Sequence, residues 1–198
     1  MAEAALKGMT VDDFLRWEDG TDTRYELVGG FVVAMAPPSP AHGRLAARLG
    51  GRIDAALRGR SPCAVQSEAG IVRPDRNDTC YVADLAVSCE QLRPEDRLIR
   101  NPLLIVEVLS PSTAALDRQS KVADYRQIAS VQEILLIDSE TVFAEILRRE
   151  GDRWTTEIVR APTATLSLSS VPLSIRMAEL YEGIPLPEPR EGREALSR

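Results

Sequence analysis

Leu103-Leu104-Ile105-Val106-Glu107-Val108-Leu109-Ser110-Pro111-Ser112-Thr113 sets a carboxylate in the middle of a run that is otherwise apolar up to Ser110. Seven residues, apolar on both faces but for Glu107, read as a central strand with helices on either side of its sheet. Ser110-Pro111-Ser112-Thr113 ends the strand and leads into a helix expected over 114–129. Upstream, Tyr81-Val82-Ala83-Asp84-Leu85-Ala86-Val87 repeats the anomaly, with Asp84 inside a second apolar strand. An ionised carboxylate in such a place is costly unless it finds a partner or shifts its pKa. One such residue reads equally well as a strand-end acid that reaches water. Two, on strands expected to be neighbours, are satisfied together by a shared divalent cation. Oxygen ligands without histidine suit Mg2+ or Mn2+ rather than zinc.

Outward from these strands the chain alternates. Residues 63–72 read as a strand containing Glu68, which is either an exposed strand residue or a third acid of the same site. Glu133-Ile134-Leu135-Leu136-Ile137-Asp138 is a fourth strand, again central. Before them, Leu45, Leu49, Ile53 and Leu57 recur every four residues and predict a helix over 41–57. The core order is helix, three strands, helix, strand: an α/β fold, αβββαβ, with a mixed central sheet flanked by helices. Two hairpins extend it. One runs over 24–35 about Gly29-Gly30, the other over 142–159 about Glu150-Gly151-Asp152. Short helices are expected after the Thr10 cap and near Met177–Tyr181. One domain is expected over 9–182, followed by a flexible, proline-rich tail over 183–198.

Composition bounds the chemistry. The 198 residues carry 24 basic and 30 acidic side chains, a net charge of −6, which argues against a non-specific nucleic-acid coat but not against a local basic patch. His42 is the single histidine, so a multi-histidine zinc site is excluded. It reads as a cap or packing residue or as an accessory site residue, and Glu26 in the first hairpin is a second accessory candidate. Three cysteines without a C-x-x-C pair predict reduced thiols rather than a disulfide framework. With no signal peptide or membrane span in view, the expectation is a cytoplasmic protein.

Of the basic residues 22 are arginine, and Lys7 and Lys121 are the two lysines. A lysine kept at position 121, where the chain's habit is arginine, points to a job for a compact ammonium. The competing reading is a surface pair with Asp117 or Asp124. Arg44, Arg48 and Arg52 form a stripe on the first long helix, either solvated or in contact with phosphates. Arg93, Arg97 and Arg100 lie in a polar loop that could do the same.

The pairing of Asp84 with Glu107 inside an αβββαβ core resembles the PD-(D/E)XK nuclease superfamily. Within it, VEVLSPST (106–113) followed by D-R-x-x-K-x-x-x-Y (Asp117, Arg118, Lys121, Tyr125) resembles the Uma-two family of restriction-endonuclease-like proteins. RYELVGG (24–30), FVVAMAPPSPAHGR (31–44) and QEILLID (132–138) are similar to that family too, so the likeness spans about Met9 to Glu182. Three positions depart from the pattern. Ala83 stands in place of the superfamily's proline, and Leu109 in place of the lysine of E-x-K. Gly29-Gly30-Phe31 replaces an acidic turn.

The resemblance implies Mg2+-dependent (or Mn2+-dependent) hydrolysis of DNA phosphodiester bonds. Asp84 and Glu107, with Glu68 as a third candidate, would hold the metal, which polarises the phosphate and activates water. It also implies that Lys121 has taken the place of the missing strand lysine and stabilises developing charge. Arg44, Arg48, Arg52 and Arg118 are the candidate DNA-backbone contacts. Two alternatives stand beside this reading: a non-catalytic nucleic-acid-binding or interaction protein on the same fold, and a hydrolase of other phosphate esters. DNA is the expected partner, no membrane is involved, and a homodimer is left open.

Overall fold

The computed structural model describes residues 8–187 except 92, 112, 113, 115 and 116. Thr10 caps α1 (Val11–Arg16) through a capping box with Asp13, as the sequence predicts. Strands β1 (Tyr25–Val28) and β2 (Phe31–Ala34) form the first hairpin. Its turn needs glycine, because Gly29 and Gly30 have φ of 59° and 84°. The turn packs against Gly8, Met9 and Asp78 rather than turning toward the acidic strands.

Helix α2 (Pro40–Ala56) begins at the Ser39 cap, whose hydroxyl accepts the His42 N–H. Leu45, Leu49 and Ile53 are buried against the sheet, as their spacing predicts. Strands β3 (Ala64–Val72), β4 (Cys80–Ser88), β6 (Pro102–Leu109) and β7 (Glu133–Asp138) follow, with a two-residue β5 (Leu98–Ile99) inside the expected polar loop. Strands β8 (Ala144–Glu150) and β9 (Arg153–Val159) make the second hairpin. The sheet runs β2-β1-β4-β6-β7-β8-β9, with β3 also paired to β4. It is mixed: β6 and β7 are parallel and most other neighbours antiparallel. One apolar layer lies between the sheet and α2, the other between the sheet and residues 122–131.

Three expectations change. The helix over 114–129 is broken: a π turn (Asp117–Lys121) leads into α3 (Val122–Tyr125), and the backbone then tightens to three-residue turns. The Arg149 guanidinium donates to the carbonyls of Arg126, Ile128 and Val131, satisfying acceptors at and beyond the helix end. Between β9 and α4 (Met177–Leu180) the chain forms a further antiparallel pair, β10 (Thr165–Leu168) and β11 (Leu173–Arg176), which covers the α2 layer. Finally, Cys63 and Cys89 are joined in a disulfide, correcting the expectation of reduced thiols. The β3–β4 register pairs Ala64 with Ser88, so the next residues outward, 63 and 89, face each other. Cys80 remains a free, buried thiol, pushed up to about 12 by burial. The bond removes the cysteine argument for a reducing compartment.

The packed chain continues to Ile184, which is buried, and residues 188–198 of the expected tail lie outside the described residues. No helix among the described residues is long and apolar enough to cross a membrane.

Candidate active site

Strand β4 is flanked by β3 on one edge along its whole length. Its other edge is divided. Leu85–Ser88 pair with β6, and Cys80 pairs with Leu27 of β1. In the gap between β1 and β6, side-chain carboxylates stand in for ladder carbonyls. Glu26 accepts the Val82 N–H at 2.8 Å, and Asp84 accepts the Val108 N–H at 2.7 Å. Continuing the β4–β6 register one step beyond Leu85–Val106 sets Asp84 opposite Glu107. The two acids therefore sit on neighbouring strands at the point where the sheet splays.

Asp84 also marks a change of face. Leu85 and Val87 belong to the α2 layer, whereas Tyr81 and Ala83 belong to the α3 layer, although all four are odd-numbered residues of one strand. Opposite Asp84 in the β3–β4 register is Glu68, the one non-glycine residue with positive φ (50°) among those described. The ribbon turns over at this pair.

Glu107 is 2% exposed. Its Oε1 accepts the Tyr125 hydroxyl at 2.6 Å and lies 3.5 Å from the Lys121 ammonium. Lys121, 5% exposed, is also 2.9 Å from Glu26 and 3.3 Å from Asp117, both buried. Its ammonium stands 5.8 Å from the Tyr81 ring centroid, within cation–π range. Both readings of Lys121 thus hold in part: it reaches Glu107, and it pairs with Asp117, but buried rather than at the surface. The helix that carries it is fixed by Val122, Tyr125 and Ile128 in the core, and by Asp124, which takes the Tyr81 hydroxyl and Arg73 at 2.8 Å each.

Burial pushes the Glu107 carboxyl up to about 8, with Lys121 opposing and Asp84 and Asp117 adding to the rise. Burial works against the Lys121 charge, but Glu107, Glu26 and Asp117 outweigh it and hold the ammonium's pKa above its ordinary value. Three buried carboxylates thus face one ammonium, with Asp84 adjacent. The excess negative charge, on hard oxygen donors, fits a divalent cation. Two carboxylates are enough protein ligands for Mg2+, which takes its other ligands from water and phosphate. No cluster of three or more histidine, cysteine or acidic side chains in metal-binding geometry occurs among the described residues.

His42 enters from the first turn of α2, its Nε2 3.3 Å from Asp84 Oδ1, with Nδ1 buried and without a hydrogen-bond partner. Asp84, Glu107, Lys121, Glu26 and His42 all line one cleft of about 1050 Å³. Glu68 lines it too, but is exposed and ion-paired to Arg24. The arginine stripe is mostly engaged elsewhere. Arg44 donates to the Gly183 carbonyl and Arg48 to those of Glu179 and Leu180, tying the chain's last packed turn to α2. Arg118 pairs with Glu145, and Arg97 donates to the Leu15 carbonyl. Arg52 is exposed at the end of α2. Asp117 as a buried site acid is the residue the sequence reading undervalued; its spacing of four from Lys121 was the available signal.

The chain matches the model of the Uma2 family, whose description reads "Putative restriction endonuclease", over residues 11–178. Two uncharacterized proteins of Synechocystis sp. (strain PCC 6803) are similar. One is 29% identical over 186 residues, covering 91% of this chain and 95% of the relative. The other is 29% identical over 156 residues, covering 77% and 88%. The fold matches a crystal structure from Anabaena variabilis described as "a putative nuclease belonging to DUF820", with a TM-score of 0.72 at 18% identity, over 87% of this chain and 97% of that one.

Proposed function

The chain belongs to the Uma2 family, and from that premise we propose that it is a metal-dependent hydrolase of DNA phosphodiester bonds. The observation that carries the reading is the buried, charge-unbalanced group at the cleft floor: Glu26, Glu107 and Asp117 around Lys121, beside Asp84. In this reading Asp84 and Glu107 hold the divalent cation, Mg2+ or Mn2+. When bound, the cation supplies Lewis-acid polarisation of the phosphate and a lowered pKa for water.

The remaining chemistry belongs to the chain's own side chains. Lys121 keeps its proton under three carboxylates and presents a fixed positive charge where negative charge builds on the phosphate oxygens. Being held in advance, it needs no reorganisation during the reaction. Tyr125 fixes one oxygen of Glu107 and the Val108 N–H fixes one of Asp84, so both carboxylates are oriented before any substrate arrives. His42 holds the other Asp84 oxygen from the opposite wall. Glu68, tied to Arg24, acts at the rim rather than as a ligand.

The test is cleavage of a mixed-sequence DNA pool with and without magnesium, using the wild-type protein and Asp84→Asn. The proposal expects magnesium-dependent cleavage that the variant loses while keeping its melting temperature. Intact DNA under all conditions, with DNA still bound, would favour the non-catalytic binding protein instead.

A further inference from the structure

We propose that the cleft receives a single DNA strand, unpaired where it is cut, rather than an intact duplex. The inference rests on the nuclease reading above and concerns the form of its substrate. Depth is the first observation. Glu107 and Lys121 are 2% and 5% exposed and lie at the cleft floor, so only a narrow group can reach them. A single strand can enter such a cleft, whereas a duplex presents its scissile phosphate on the surface of a broad rod.

Charge is the second. Duplex DNA carries one negative charge per roughly 1.7 Å of axis, and proteins that clamp it spend many Lys and Arg side chains on phosphates. Here the cleft offers Arg24 and Lys121, and both are paired with carboxylates. The exposed rim carries Asp54 and Glu140, acids that would face the second strand's phosphates. Arg44 and Arg48, which could have offset them, are held by carbonyls of the last packed turn.

The third observation is the walls. Val33, Met35, Pro37 and Pro38 line it from β2 and the loop that follows, and Ala46 and Ala47 line it from α2. Val33 is 40% exposed, an apolar side chain left to solvent on the outermost strand of the sheet. A duplex hides its base faces in the stack and has nothing to lay against such walls. An unpaired strand presents those faces, and apolar side chains accept them.

Three measurements test this. In EDTA, fluorescence anisotropy compares a labelled DNA strand with the blunt duplex of the same sequence. The single strand should bind at least about tenfold more tightly. Equal or tighter duplex binding overturns the inference, whether or not the protein cuts. With magnesium, the same two DNAs and a duplex bearing an unpaired flap are compared for initial cleavage rate. Faster cleavage of the single strand and the flap supports the inference. A duplex cut as fast overturns it and leaves the nuclease reading standing, while no cleavage of any DNA overturns that reading. Ala47→Glu places a carboxylate on the α2 wall of the cleft, at an exposed helix position outside the reacting groups. It should weaken single-strand binding about tenfold at unchanged melting temperature. Unchanged binding overturns the route along α2.

Discussion

Replacing Lys121 by methionine keeps most of the stem's length and removes the ammonium. Glu26, Glu107 and Asp117 then lose the cation that stands within 3.5 Å of each of them. All three acids are buried, so water screens the loss poorly. Removing one partner of a buried ion pair costs about 3–5 kcal/mol, because the remaining charge is left uncompensated. At this chain length each kcal/mol moves the melting temperature by about 2–4 °C, so the expected fall is roughly 6–20 °C. Burial already pushes Glu107 up to about 8 and loss of Lys121 pushes it further, so at neutral pH it carries a proton, which keeps the loss near the lower end. The assay is thermal melting in EDTA at pH 7.5. A second variant, Lys121→Met with Glu26→Gln, should recover part of the loss, since the two residues interact directly. Magnesium should raise the melting temperature of Lys121→Met, as a cation refills the missing charge. A fall worth less than about 1 kcal/mol, the scale of an exposed pair, would refute the buried-cluster account.

Glu133, buried in β7, accepts from Arg148 Nε, the Ser169 and Ser170 N–H groups and the Ser170 hydroxyl. Burial alone would raise its pKa, but these donors together hold it below the ordinary value. Its stabilisation is therefore complete above the unfolded pKa and lost as pH falls through the lowered one. Glu133→Gln should cost about 1.5–3 kcal/mol at pH 7, a gap that closes below roughly pH 4 in denaturant titrations. Gly30→Ala places a Cβ 2.8 Å from the Gly8 Cα at a φ of 84° and should cost about 1–3 kcal/mol. Gly51→Ala, in α2 with open space around it, should stabilise by about 0.5–1 kcal/mol, and a comparable loss at both sites would contradict the turn geometry. In the unfolded, unreduced protein one thiol, that of Cys80, should titrate; three would refute the Cys63–Cys89 bond.

The central strands were legible because an acid in an apolar run is a local, costly pattern. Asp84 and Glu107 each announced themselves within seven residues. Lys121 stood out against a chain that otherwise prefers arginine. What stayed hidden was pairwise and long-range. The Cys63–Cys89 bond follows from the β3–β4 register, which no spacing in the sequence states. The carbonyls around the helix end after Tyr125 are taken by Arg149, two strands later, a pairing that nothing local announces. Arg44 and Arg48 formed a stripe on α2, but nothing local tells that the residues near Glu182 would occupy them. β10 and β11 were different. Leu166, Leu168, Leu173 and Ile175 alternate with polar residues, a period-two signal that marks both strands locally.

The most direct test of the metal-site account is diffraction from crystals grown with Mn2+, read for its anomalous scattering. The account predicts one peak bridging the Asp84 and Glu107 carboxylates, at about 2.0–2.2 Å from an oxygen of each, with Lys121 still beside Glu107. A crystal with Mn2+ in the solvent and no peak there, or a peak held by Glu68 away from both acids, would contradict it.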